Sequence, residues 1–135
     1  MCQVGDIIVV KQYKDRGKII GKHSFVVISD ENGKIEGIPY DFVANAMSSF
    51  KNDEQKEWKL KQYLGNFPIV LDDRVVKDDN GKSGYIKADQ LYYFQRDNIE
   101  FDTIGYLKPD IVDLLLEFLE ESDFPIVDIV DNLES

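Results

Sequence analysis

The chain has 135 residues, 43% of them apolar, with 26 acidic and 16 basic side chains and a net charge of -10. That is material for one compact core; with no run of 18 apolar residues and no charged-then-apolar leader it predicts neither a membrane span nor a signal peptide, hence a cytoplasmic protein. One cysteine and one histidine exclude an internal disulfide and a structural zinc set, so any chemistry is expected to run without metal or cofactor.

In chain order, Gly5-Asp6 opens an apolar strand over Ile7 to Val10. Lys11 to Lys22 reads as a loop with Gly17 and Gly21 as its flexible points, long for a small domain and therefore a functional candidate. The stretch KHSFVVIS, Lys22 to Ser29, carries a β-branched and aromatic run that suits a strand buried on both faces, with the only histidine, His23, at its entrance. Asn32-Gly33 predicts a hairpin turn, with Lys34 to Ile38 pairing back and Pro39 closing that strand. Phe42 to Met47 is the next strand and ends in Ser48-Ser49-Phe50. Asn52 to Leu64, with Trp58, Leu60 and Leu64 as its apolar members, fits one short helix or an ordered loop lying on the body.

Phe67 to Leu71 reads as a strand, and Asp72 to Lys82 as charged turns with Asn80-Gly81 a second hairpin signal. Tyr85-Ile86 and Leu91 to Phe94 supply the last strand material around Ala88-Asp89-Gln90. Strands this short, with turns this frequent, predict a mainly β (α+β) fold built on a small closed or half-closed barrel. Pro109-Asp110 then starts a helix whose buried stripe is Ile111, Leu115, Phe118 and Leu119, ending near Ser122. Residues 1–122 form the expected domain; 123–135 form an acidic tail in which Ile126, Ile129, Val130 and Leu133 repeat the helical spacing, expected to pack on the domain or a partner subunit.

The negative charge is unevenly placed. Asp97 to Ser135 holds twelve acidic residues and one lysine, whereas Lys11 to His23 holds Lys11, Lys14, Arg16, Lys18 and Lys22 against Asp15 alone. Such a split presents a local anion site in an acidic protein. Metal-free cleavage of RNA needs a base for the 2′-hydroxyl proton, an acid for the leaving oxygen and fixed positive charge at the phosphate. His23 titrates near neutrality and suits the first two roles; Lys14, Arg16, Lys18 and Lys22 supply charge, and Ser48 orients a phosphate oxygen. The same residues also fit a structural reading, in which His23 and Ser48 satisfy backbone carbonyls at strand ends and the lysines keep an edge solvated. Tyr85, Tyr92, Tyr93 and Phe94 read as core and dimer interface, and Asp72-Asp73 with Asp78-Asp79 as hydrated turns.

Four features taken together, Gly5-Asp6 before a strand, His23 to Ser29, the hydroxyl pair Ser48-Ser49, and Ser83 to Leu119, resemble the PemK/MazF family of toxins over most of residues 4–120. The resemblance implies an SH3-like barrel of five to seven strands with a C-terminal helix, a homodimer, a cognate antitoxin that occludes the groove, and metal-independent cleavage of single-stranded RNA. It places the catalytic groups at His23 and Ser48, with Ser49 beside them on the substrate. In that family an arginine starts the second long strand; here Lys22-His23 stands in its place, and no Arg-Pro pair is present. The alternative is a catalytically inactive barrel of this kind that binds RNA or protein as a dimer.

Overall fold

Residues 2–62 and 64–134 are described by the computed structural model; Tyr63, inside the expected helical span, and Ser135, at the end of the tail, lie outside the described residues. The strands β1 (Asp6–Val10), β2 (Tyr13–Asp15), β3 (Lys18–Ile20), β4 (His23–Ser29), β5 (Gly33–Ile35), β6 (Ile38–Tyr40) and β7 (Phe42–Ser49) lead into α1 (Asp53–Gln62). β8 (Asn66–Ile69), β9 (Arg74–Val76), β10 (Gly84–Lys87), β11 (Gln90–Phe94) and β12 (Phe101–Leu107) follow, then α2 (Pro109–Glu120) and β13 (Val127–Ile129). Nine of these strands make one strongly curled sheet in the order β13-β11-β7-β4-β1-β12-β9, with β10 also on β7 and β8 on β10. The fold is thus mostly β and barrel-like with two helices, and its main sheet holds more strands than the five to seven expected.

The central strands are apolar because both their faces are covered. On one face Ile8, Val10, Phe25, Val27, Phe42 and Phe94 form a cluster; on the other Ile7, Val26, Ile69, Ile86 and Leu107 pack against Leu115 of α2. Phe25 and Val26 are wholly buried although they are neighbours, since successive side chains leave opposite sides of a strand. Burying each such side chain stabilises the fold by about 1.5–3 kcal/mol. Helix α2 begins as the sequence predicts, with Pro109 in its first turn and Asp110 beside it. Helix α1 is started by Asn52, whose Oδ1 accepts the Gln55 N–H at 2.7 Å while Gln55 Oε1 accepts the Lys51 N–H at 2.6 Å.

Several local expectations are corrected. The segment Lys11 to Lys22 is no open loop: it folds into a β2–β3 hairpin turned at Arg16 and Gly17, both at positive φ (48° and 88°). The next hairpin turns at Glu36-Gly37 (φ 52° and 78°), not at Asn32-Gly33, so Gly33 pairs with Tyr40 and Pro39 lies inside β6 opposite Lys34. A two-residue turn of this type needs both central residues at positive φ, and a two-stranded ribbon has open edges on which proline is tolerated. Asn80-Gly81 makes no hairpin, because β9 and β10 pair with other strands.

The tail is a strand, not a helix. β13 runs parallel to β11, Val127 N–H donates to the Asp89 carbonyl at 2.8 Å, and Ile129 enters the first apolar cluster. The open edge of β11 offers a ladder of backbone partners, which outweighs the helical spacing of the tail's apolar residues. Past β13, Asn132 holds the β2–β3 hairpin through both polar atoms of its amide: Oδ1 accepts the Lys14 N–H at 2.7 Å and Nδ2 donates to the Lys14 carbonyl at 3.0 Å. Among the described residues no helix is long and apolar enough to cross a membrane.

Candidate functional site

At one end of the sheet β4 begins, β7 ends and β10 begins, and a groove of about 480 Å³ opens there. Lys22, His23, Ser24, Ser48 and Ser49 line it from β4 and β7. Phe25 stands opposite Ala46 in the β4–β7 ladder, so the same register carried two residues further sets His23 opposite Ser48 on one face. Lys22 and Ser49 flank this pair on the alternate positions. Two dipeptides distant in sequence are thereby brought to one end of the sheet by strand pairing.

His23 is half-buried, its ring centroid 5.8 Å from that of Phe25 and 6.2 Å from that of Tyr13. Burial lowers its pKa below the usual imidazole value; the nearby Lys87 ammonium lowers it further, and the Met47 carbonyl beside the ring opposes both. The imidazole is therefore neutral at pH 7. With an N–H turned to the Met47 carbonyl, the other ring nitrogen carries a lone pair. That is the protonation state a general base requires.

The far wall of the groove comes from the loop after β9. Arg74 clasps Asp79 in a two-point ion pair, Nε to Oδ2 and Nη2 to Oδ1 both at 2.9 Å, and Nη2 also donates to the Lys82 carbonyl at 2.6 Å. The Arg74 side chain is only 7% exposed, and its hydrogen bond holds the Asp79 carboxyl below the usual carboxylate range. Arg74 thus shapes the loop, which brings Asn80 Nδ2 to Ser49 Oγ at 2.9 Å and leaves the serine O–H able to donate. Lys77 lines the same wall. Among the described residues, neither Lys22 nor Lys77 has an ion-pair partner. Arg74, Lys77 and Asn80 were not legible as site residues: they sit in a run of alternating charges whose only local signal is a turn.

The remaining candidates lie elsewhere. Lys14, Arg16 and Lys18 belong to the β2–β3 hairpin and do not line the groove. Arg16 Nε donates to Asp15 at 2.7 Å, and Tyr92 Oη donates to the other Asp15 oxygen at 3.1 Å. Partial burial pushes the Asp15 carboxyl up, yet these two hydrogen bonds prevail and hold it below its ordinary range. Gly17 N–H donates to Asp131 of the tail at 2.9 Å. The tail's acidic end thus lies against the basic hairpin.

No protein-family model, curated protein or solved structure matches the chain. What the rim can do follows from its own chemistry. The groove presents Lys22, Lys77 and Ser49, a donor-rich lining for a phosphodiester, while His23 and Ser48 border it from the alternate positions of the same strands, the imidazole turned to Tyr13 and Phe25.

Proposed function

We propose that the chain is a PemK/MazF-like, metal-independent endoribonuclease with an SH3-like barrel, acting on single-stranded RNA. The observation that supports this reading is the meeting of Lys22-His23 with Ser48-Ser49 at one end of the sheet, bordering one groove. His23 takes the proton of the 2′-hydroxyl; the 2′-oxygen bonds to phosphorus, the 5′-oxygen leaves with a proton from the Lys22 ammonium or from water, and a 2′,3′-cyclic phosphate results. Ser48 donates to a non-bridging phosphate oxygen, Ser49 positions the strand, and Lys22 with Lys77 offsets its charge. A second copy of the chain joins at the open edge of β9, where Val75 stands opposite Tyr106 and both are nearly half exposed, and a cognate antitoxin covers the groove.

A second reading is favoured by one observation: the His23 ring lies against Tyr13 and Phe25, so the barrel binds RNA at the rim without turning it over. Mixed-sequence RNA incubated with the protein and excess chelator separates the two. The nuclease reading expects fragments ending in cyclic phosphate, lost in both His23→Ala and Ser48→Ala; intact RNA that remains bound leaves the binding module, and RNA that neither binds nor breaks removes both.

A further inference from the structure

The groove has a floor as well as a rim. Val26 belongs to the second apolar cluster and Met47 packs against it, so alternation along β4 and β7 sends Lys22, Ser24 and Ser49 to that same side of the sheet. Val76 of β9 and Ile104 of β12 also pack against this cluster, and with Met47 they line the groove, each half-buried. Among the described residues β9 pairs only with β12, and β8 only with β10. The sheet therefore stays open between β8 and β9. Ile69 of β8 and Val76 of β9 both line the groove, which is thus the mouth that this opening leaves in the second core.

Floor and rim ask for different chemistry in one ligand. Arg74 and Asp79 neutralise each other at the rim, which leaves Lys22 and Lys77 against Asp78 among the lining charges. Neither lysine has an ion-pair partner among the described residues. A space of about 480 Å³ lies within the range of small-ligand sites. A bare phosphate would leave the apolar floor in water, and an uncharged apolar body would leave the ammonium groups unused. Lys22 comes from β4 and Lys77 from the opposite wall, behind β9. Cations on both walls of an apolar mouth suit a flat apolar unit with an anion on either side, as in a nucleic-acid strand, better than a chain with one charged head.

We infer that the mouth takes one unstacked nucleobase of single-stranded RNA onto Met47, Val76 and Ile104, with its two flanking phosphates at Lys22 and Lys77. The inference rests on reading the groove as an RNA site and names the part of the strand that enters it. A single strand can splay a base out of its stack, whereas a duplex keeps its bases paired.

Met47 is one of two methionines in the chain, and Met47→Leu, which conserves volume, identifies its signal. The full chain, carrying methyl-labelled methionine, is titrated with an end-labelled, 2′-O-methylated single-stranded oligoribonucleotide that resists cleavage. Label anisotropy reports binding, and the Met47 methyl resonance reports the floor. The expected result is a saturable shift of that resonance which tracks anisotropy. An abasic oligomer of the same length leaves the methyl in place and binds about tenfold more weakly, the effect of leaving roughly 55 Å² of apolar surface in water. Lys22→Gln with Lys77→Gln weakens both oligomers by a similar factor. Binding with an unmoved methyl, or equal affinity for intact and abasic oligomers, overturns the base site and leaves the RNA reading standing. A methyl that moves with decanoate but not with the oligomer assigns the mouth to an acyl anion and overturns the base site as well. No change in anisotropy overturns both the site and the RNA reading. The deciding comparisons use the wild-type chain, so they do not depend on how any variant folds.

Discussion

The β2–β3 hairpin and the rim of the groove are both lysine-rich, yet they are built into the fold differently. In the hairpin, Arg16 is paired with Asp15, the Gly17 amide with Asp131 and the Lys14 backbone with Asn132. At the rim, among the described residues, Lys22 and Lys77 stand without ion pairs, and the buried cation there, Arg74, is used up in holding its own loop. Basic residues close together in sequence therefore mark two different things, a hairpin whose backbone the chain's own tail holds and the border of an open groove. Strand pairing decides which is which, since Lys22 is carried to the rim by β4 while Lys14 and Lys18 turn back on themselves.

Cutting the hairpin from the tail has the largest expected effect. Asn132→Ala leaves the Lys14 N–H and carbonyl without partners in a site only 9% exposed at Asn132, so the urea midpoint should fall by the equivalent of about 1–3 kcal/mol. Unchanged stability would mean that the tail merely rests on the hairpin. Next come the charges themselves. Removing Lys22 and Lys77 together should make RNA binding less salt-sensitive, reducing the slope of log affinity against log salt by roughly 1.4. Removing Lys14 and Lys18 should leave that slope as it was. Equal slopes for the two double variants would erase the distinction between hairpin and rim.

The smallest effect is in pH. The folded pKa of His23 is depressed by burial and by Lys87, so below about pH 6.5 the unfolded chain binds a proton that the folded chain refuses. The contribution of His23 is complete above that pH and is lost as pH falls toward the folded value. Urea midpoints compared between pH 8 and pH 5 should drop less in His23→Gln than in wild type. The reverse ordering would show that the imidazole is charged in the native state.

How much of this was legible depended on how local each signal was. The run Phe25 to Ile28 announced a strand buried on both faces, and Pro109-Asp110 announced α2, because burial and helix initiation write themselves into neighbouring residues. β9 and β12 were missed: Arg74–Val76 is three residues amid charges, and Phe101–Leu107 faces solvent at Asp102, Thr103 and Tyr106, so neither shows a clean period of two. The turn at Asn32-Gly33 was misplaced by four residues because Asn-Gly is a stronger dipeptide signal than Glu-Gly, although the latter turns the chain. His23, Ser48, Ser49 and Lys22 were named from residue type and order; strand pairing sets them at one end of the sheet, with the His23 ring turned to Tyr13 and Phe25. The basic loop was expected to join them, but the pairing that diverts it is made by Asp131 and Asn132, too distant in sequence for any local pattern to reveal.

That same pairing bears on the order in which the molecule assembles. Asn132 meets Lys14 across 118 positions, so fixing the hairpin closes nearly the whole length of the polypeptide into one loop. Contacts of such high order are entropically slow to make, and the early hairpin can gain its final anchor only once β11 exists for β13 to lie along. The Lys14–Asn132 contact thus adds to the high contact order that slows the folding of sheet proteins.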